Sequence, residues 1–90
     1  MNTYLVTYDL NRPGQNYDNV VTRIKTSNNW AKIATTTFII VSPQSAVQVR
    51  DYLMEVMDAN DEIFVGLISA PAAWSGLNNE VSNWLRNNLK

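Results

Sequence analysis

The chain has 90 residues, 46% of them hydrophobic and 17% charged, and this length fits one globular domain spanning residues 1–90. Seven basic residues against eight acidic ones give a net charge of −1, which argues against the domain-wide cationic surface of proteins that bind nucleic acid unaided. The absence of cysteine and histidine excludes thiolate and imidazole zinc sites, cysteine nucleophiles and histidine general bases, and leaves Mg, Mn or Ca as metals for oxygen ligands.

The first predicted element is a strand over residues 4–8, a run of β-branched and aromatic side chains. Asp9 follows it, and the breaker residues after Asp9 include Arg12, Pro13 and Gly14. The strand is not preceded by the basic and apolar regions of a signal peptide, and no segment approaches about 18 consecutive apolar residues. We therefore expect a cytoplasmic protein without a membrane segment.

A helix is predicted next, because apolar residues between positions 17 and 24 recur at i, i+3, i+4 and i+7 before the polar cluster at 27–29. Residues 30–41 read as extended structure rich in threonine and isoleucine. A run of this length exceeds the usual strand, so it forms either one bent strand or two strands. The triplet Thr35-Thr36-Thr37 is the predicted position of the break.

A second helix is predicted to begin at Ser42 and Pro43, with the serine hydroxyl capping free amides and the proline in the first turn. Its apolar stripe runs from Ala46 to Met57 and ends in the acidic turn at 58–61. Residues 63–68 form a continuous apolar run that predicts a strand shielded on both faces. Helical spacing then returns near the C-terminal end and predicts a final short helix.

This order of elements matches an α+β, ferredoxin-like βαββαβ sandwich with a C-terminal helix. In that fold the two main helices cover one face of the sheet, yet the predicted strands are apolar on both faces. Either the final helix folds back over the second face, or two subunits pack sheet against sheet. We expect a homodimer, because one short helix leaves the cover incomplete.

Several motifs carry a resemblance to known families: VTYDLNRPGQNY, TTTFIIVS, MDANDEIFVGLIS and the ending AAWSGL with WLRNNL. They resemble the small bacterial proteins of the SinR family, which are distinct from the helix-turn-helix regulator of the same name. More distantly, the strand ending in Tyr-Asp, the middle strand and the late aspartate-strand block resemble the small subunit of the CRISPR adaptation complex. The same features are similar to the virulence-associated protein D ribonuclease toxins.

The wider resemblance implies a dimer of ferredoxin-like domains with Asp9 near the two-fold axis. It implies that Asp9 is both metal ligand and catalytic residue, because two facing carboxylates hold Mg or Mn and the cation polarises a phosphodiester. The sequence departs from the adaptation family at Ala34, where glutamine is frequent, and at Thr36, which replaces a serine. A predicted helix also stands in place of that family's C-terminal swapping strand.

Four basic residues are candidates for a weak patch that contacts the phosphates of RNA or DNA: Arg12, Arg23, Lys25 and Lys32. Arg12 has the ordinary alternative of a solvated or ion-paired loop side chain, whereas Arg23 and Lys25 are predicted on the solvated face of the first helix and Lys32 on the next strand. Asp9 likewise has the alternative of closing the turn before the first helix. The tryptophans, the threonine triplet and the acidic turn are interpreted as packing, strand and turn residues.

Three function classes stay open from the sequence. The first is a metal-dependent nuclease in which Asp9 binds the metal and Arg12 steers phosphate. The second is a non-catalytic dimeric adaptor that holds nucleic acid or a protein partner. The third is a regulatory domain that binds a small molecule at the dimer seam, which fold alone supports only weakly.

Overall fold

The described part of the chain folds as a mixed α+β domain, which confirms the predicted class. The structure is a computed structural model, and it describes residues 1–11 and 17–90. Its elements in chain order are β1 (Asn2–Asp9), α1 (Tyr17–Lys25), β2 (Trp30–Ala34), β3 (Thr37–Ser42), α2 (Ala46–Met54), β4 (Glu62–Leu67) and α3 (Asn79–Asn88).

The four strands form one antiparallel sheet in the order β2-β3-β1-β4. The first strand of the chain is therefore central, and it pairs with β3 on one side and β4 on the other. Val6 lies opposite Phe38 in the first pairing and opposite Val65 in the second. In the same register Asp9, the last residue of β1, lies opposite Glu62, the first residue of β4.

Residues 30–41 form two strands joined by a tight turn at Thr35 and Thr36. The break falls inside the threonine triplet, where it was predicted. The pairing of β2 with β3 changes register between Lys32 and Ala34, so a β-bulge lies next to the turn and increases the local twist.

The second helix is capped by Ser45, and the prediction that it begins at Ser42 and Pro43 is wrong. Ser45 Oγ accepts a hydrogen bond from Gln48 N at 3.1 Å, and Gln48 Oε1 accepts one from Ser45 N at 2.9 Å. This reciprocal pair is a capping box, which satisfies two amides at the helix start. Ser42 instead ends β3, because the residue before a proline is driven toward extended backbone.

The core lies on the sheet face that carries Tyr4, Val6 and Tyr8, which we call the first face. Helices α1 and α2 pack on it. The side chains that meet there are each at most 4% exposed: Tyr4, Val6, Tyr8, Val20, Ile24, Phe38, Ile40, Val49 and Leu53. Removing these apolar side chains from water supplies the main stabilisation of the domain.

Helix α3 folds back over part of the second face, the one that carries Thr3, Leu5 and Thr7. Thr3 Oγ1 donates to the Asn88 carbonyl at 3.3 Å, and α3 contacts β2. Leu85 of this helix is only 2% exposed. The sheet residues buried on this side belong to β2 and β3: Ala31, Ile39 and Val41.

The strand β4 stays exposed, although the apolar run at 63–68 had predicted shielding on both faces. Phe64, which lies on the second face opposite Thr7, is 59% exposed, and Leu67 is 68% exposed. The prediction of full shielding is therefore wrong for the single chain. Helix α3 covers β2 and β3 on the second face and leaves that face of β4 without cover, whereas on the first face α2 contacts β4, and Ile63 and Val65 pack against the core.

The helices of the described segments are short: α1 and α2 have 9 residues each and α3 has 10. A membrane-spanning helix needs about 20 residues. Within residues 1–11 and 17–90 no helix combines the length and apolar character required to cross a membrane.

Candidate functional site

Asp9 stands at the exposed end of the sheet, directly across from a second carboxylate. The register of β1 with β4 places it opposite Glu62, and both residues are exposed. Side chains paired in this way have Cβ atoms about 4.5–5.5 Å apart, and like charges at such positions destabilise the sheet. The pair is therefore a place where a cation would relieve repulsion.

The end of β1 is fastened to the turn before β4 through Asn11. Its backbone N–H donates to Asp61 Oδ1 at 2.9 Å, and its Nδ2 donates to the Asn60 carbonyl at 2.7 Å. Asn11 Nδ2 also lies 3.3 Å from Glu62 Oε1. These bonds hold the Asp9–Glu62 end of the two strands in register.

Asp61 stabilises this turn through its carboxylate, in agreement with the prediction that the acidic residues at 58–61 form a turn. One carboxylate oxygen accepts from Asn11 N at 2.9 Å, and the other accepts from Asp58 N at 2.7 Å. Hydrogen bonds from backbone amides to a carboxylate are among the stronger ones in proteins. Asp61 is thus a structural residue that positions its neighbour Glu62.

An open depression of about 340 Å³ borders the carboxylate pair, and its lining includes Thr7, Asp9, Glu62 and Phe64. A Cβ atom placed on Gly66 would come 2.5 Å from Phe64 Cε1, so the Phe64 ring lies across the glycine. An aromatic ring that covers a glycine on an edge strand shields the backbone there. The site combines an acidic end with an adjoining flat, exposed aromatic surface.

The structure does not gather the predicted basic residues around Asp9. Arg12 lies outside the described residues. Arg23 contacts α2: its Nη1 donates to the Tyr52 carbonyl at 2.8 Å and to Glu55 Oε1 at 2.6 Å. Arg23 therefore forms an ion pair with Glu55, although it was predicted on the solvated face of the first helix.

Lys32 and Lys25 lie near β2, at the other edge of the sheet. Lys32 is exposed on the first face, opposite Phe38, whereas Asp9 belongs to the second face. One strand separates β2 from β1, which corresponds to about 10 Å between them. Lys25 Nζ stands 4.8 Å from the centre of the Trp30 ring, and Lys32 Nζ stands 6.0 Å from the centre of the Phe38 ring, so each cation lies near an aromatic residue at this edge. Neither lysine forms an ion pair within the described segments.

The other two tryptophans belong to the packing around α3, as their packing interpretation predicted. Trp84 Nε1 donates to Asn29 Oδ1 at 2.7 Å. Trp74 Nε1 donates to Ser82 Oγ at 3.1 Å. Buried tryptophan usually finds a partner for its N–H in this way, so both rings are structural anchors of this helix.

Tyr8 carries the one buried side-chain polar atom that lacks a hydrogen-bond partner among the described residues. The residue is 4% exposed, and its ring lies 6.2 Å from the Tyr17 ring. Burial, and to a smaller degree the neighbouring Tyr17 hydroxyl, raise the pKa of Tyr8 above its ordinary value of 10.0. The hydroxyl therefore stays protonated well into the alkaline range.

Replacement of Tyr8 by phenylalanine should stabilise the fold by about 1–3 kcal/mol, because a buried hydroxyl without a partner costs that much. Because the pKa of Tyr8 is higher in the folded state than in the unfolded state, ionisation of this hydroxyl leaves stability unchanged below pH 10. It lowers the stability as the pH rises from 10 through the folded-state pKa. Tyr8→Phe should consequently lessen the alkaline loss of stability. Urea unfolding from neutral pH to above pH 10 measures both effects, with Tyr52→Phe, an exposed tyrosine, as control. A destabilised Tyr8→Phe variant would contradict this account of the hydroxyl.

The described residues contain no group of three or more carboxylate, imidazole or thiolate side chains that would bind a metal within one chain. Asp9 and Glu62 supply two oxygen ligands, whereas Mg and Ca take about six to eight. Water or a second chain would have to complete such a site. Glu62 is the residue that sequence reasoning missed, and an antiparallel pairing of the first strand with the last would have indicated it.

Comparisons with known proteins do not assign a family. No protein-family model matches the chain, and no curated protein matches it significantly. The resemblances to the SinR family, the CRISPR adaptation subunit and the ribonuclease toxins stay predictions that rest on short motifs. Functional inference therefore depends on the geometry of the sheet and its acidic end.

Proposed function

We propose that the protein is a homodimer of ferredoxin-like domains, related to the SinR-family proteins, that associates with nucleic acid. The order of the first six elements, β1-α1-β2-β3-α2-β4, supports the ferredoxin-like part of this proposal. The helices α1 and α2 on one face of an antiparallel sheet support it as well.

The observation that carries the dimer is the partly exposed surface made by Leu5, Thr7, Phe64 and Gly66, which we call the β4 patch. It contains no charged side chain, and Phe64 at its centre is 59% exposed. A two-fold contact buries the same patch on both subunits, so an uncharged surface avoids placing like charges against each other. A second copy of this chain is therefore the proposed occupant.

The Asp9–Glu62 pair borders the β4 patch, so dimerisation brings two such pairs to the margin of one interface. Four carboxylates repel each other unless a cation lies between them. Mg or Mn would fit this donor set, since both prefer oxygen ligands. Asp9 and Glu62 of both subunits would hold it, and bound metal would supply the phosphate-polarising chemistry of a nuclease.

This arrangement predicts a dimer whose affinity depends on divalent cations. Mn at millimolar concentration should tighten the dimer by about tenfold, because a single neutralised carboxylate contact is worth about 1.4 kcal/mol or more. The Asp9→Asn, Glu62→Gln double variant should dimerise without metal and lose the response to Mn. Sedimentation velocity measures the dimer dissociation constant in the presence of Mn and in the presence of EDTA. Asp51→Asn is the control for an exposed carboxylate away from the site. A dimer that ignores Mn would refute the shared metal site while leaving the β4 patch as the interface.

The nucleic-acid part of the proposal is supported by the motifs and by Lys25 and Lys32 at the edge of the sheet that carries Trp30. Aromatic side chains flanked by lysines suit single strands, because bases stack on the ring while the ammonium groups contact phosphate. The double variant Lys25→Gln, Lys32→Gln should weaken binding of single-stranded RNA and DNA alike. It should reduce the slope of log affinity against log salt by about 1.4, since each phosphate contact contributes about 0.7.

Fluorescence anisotropy with labelled RNA and DNA at several salt concentrations measures this slope, and Arg50→Gln is the matched control because Arg50 is paired with Asp51. Incubating the same oligonucleotides with the protein and Mg or Mn distinguishes a metal-dependent nuclease from a non-catalytic adaptor. Cleavage that Asp9→Ala abolishes would identify a metal-dependent nuclease. Binding without cleavage would identify a non-catalytic adaptor, and an unchanged affinity in the lysine variant would refute the β2 edge as the contact surface.

A further inference from the structure

A second concave region lies in the helical layer, away from the β4 patch. It is a cavity of about 270 Å³ between the end of α1, the middle of α2 and the segment that joins β3 to α2. Its floor is apolar and buried, because Ile24, Ile40, Val49 and Leu53 line it and each is at most 4% exposed. Small-molecule sites are mostly apolar concavities of about 300–1,000 Å³, so this cavity suits only a small ligand.

Arg23 supplies a positively charged group at the rim of this cavity. The side chain is held in place, since Nη1 donates to the Tyr52 carbonyl and to Glu55, and the guanidinium carbon lies 4.5 Å from the centre of the Tyr52 ring. A guanidinium has five N–H donors. The donors on Nε and Nη2 have no partner among the described residues, and together they form a fork that matches a carboxylate.

Ser42 supplies a second polar group that is itself buried. It is 6% exposed and lines the same cavity. Its hydroxyl oxygen accepts from Gln44 N at 3.1 Å, but its O–H donates to no acceptor within the described segments. A serine hydroxyl has one donor and two acceptor positions, so the donor is available to a ligand in the cavity.

The ion pair between Arg23 and Glu55 does not prevent a further anion from binding. Glu55 has 64% of its side chain exposed and Arg23 has 28%, so solvent screens their attraction and the pair is worth little. Arg23 also lines the cavity whose floor is apolar. An anion that combines a carboxylate with a small apolar group would satisfy both surfaces at once.

We propose that this cavity binds a small amphipathic monocarboxylate. The apolar part lies on the floor formed by α1, α2 and β3, and the carboxylate accepts hydrogen bonds from Arg23 and Ser42. This site belongs to one subunit and does not depend on the dimer or on nucleic acid. It differs from a ligand site at the dimer seam, because the cavity opens on the helical side of the sheet.

Benzoate is a suitable probe, and benzamide is its uncharged counterpart of nearly the same shape. In an amide-resolved NMR titration of the full chain, benzoate should produce saturable shifts at Thr26, Ser27 and Gln44, which line the cavity. Benzamide should bind at least about tenfold more weakly, because it lacks the charge that strengthens the hydrogen bonds to the guanidinium. Equal affinity for the two compounds would overturn the anionic assignment.

The variant Arg23→Gln should weaken benzoate binding by about tenfold or more, and Arg23→Lys, which keeps the charge but loses the fork, should give an intermediate loss. Arg50→Gln is the matched control, because it removes an exposed arginine of α2 that does not line the cavity. The amide spectrum of each variant reports directly whether it is folded. An absence of saturable shifts in the wild type, or equal losses in Arg23→Gln and Arg50→Gln, would overturn the proposal.

Discussion

Phe38→Ala should lower the free energy of unfolding by about 3–5 kcal/mol, the usual cost of deleting a fully buried phenylalanine. Phe38 is 0% exposed and lies in the second strand from the β2 edge. Its ring contacts Trp30 edge-on, with 6.1 Å between the ring centres. The truncation removes the transfer energy of the ring, this aromatic contact and the packing of the first face around it.

A loss of this size is large for the domain. Stabilities of about 0.05–0.15 kcal/mol per residue give a chain of this length about 5–13 kcal/mol in total. The variant is therefore expected to be marginally folded at room temperature. Urea unfolding should be followed by far-ultraviolet circular dichroism, because the substitution also changes the surroundings of Trp30 and so alters fluorescence directly. A loss below about 1 kcal/mol, the range of surface substitutions, would show that the first face is not the core.

Phe64→Ala is the same substitution on a neighbouring region of the sheet, and it should act on association instead of folding. Phe64 is 59% exposed in the single chain, so the monomer should change by about 0.5 kcal/mol or less. If two β4 patches face each other, each dimer loses two central aromatic anchors. Each anchor of this kind costs about 2 kcal/mol or more when truncated, or about 30-fold in affinity, so the loss of both should weaken the dimer by about 900-fold.

Analytical ultracentrifugation over a concentration series measures this shift, and urea unfolding of dilute protein checks the monomer. Val47→Ala is the matched control, because Val47 is 55% exposed on α2 and lies outside the β4 patch. The proposed interface is wrong if Phe64→Ala and the wild type associate equally. It is also wrong if Val47→Ala weakens the dimer as much as Phe64→Ala does.

The features that sequence reasoning predicted are those that short segments determine by themselves. The apolar spacing of α1 and the β-branched run of β1 are visible within one turn or a few residues, and both elements lie where they were predicted. The start of α2 was misplaced by three residues, because Ser42 and Ser45 are both plausible caps. The glutamine three residues after Ser45, which forms the capping box, distinguishes it from Ser42.

The features that sequence reasoning missed depend on distant partners. Glu62 becomes a neighbour of Asp9 only through the pairing of β1 with β4, and nothing within either strand specifies that register. The exposure of Phe64 on the second face of β4 depends on where α3 lies, and α3 is held by hydrogen bonds with Thr3 and Asn29. Arg12, which was predicted to steer phosphate, lies outside the described residues, so that role stays a prediction.

The central position of β1 has a consequence for how the chain folds during synthesis. β1 leaves the ribosome first, yet one of its two partner strands, β4, follows about 60 residues later. At about 5–20 residues per second, the apolar residues of β1 wait roughly 3–12 s for that partner. A sheet whose first strand is central can therefore close only after its last strand has been synthesised. Slower elongation before β4 would lengthen the time in which nascent chains can aggregate.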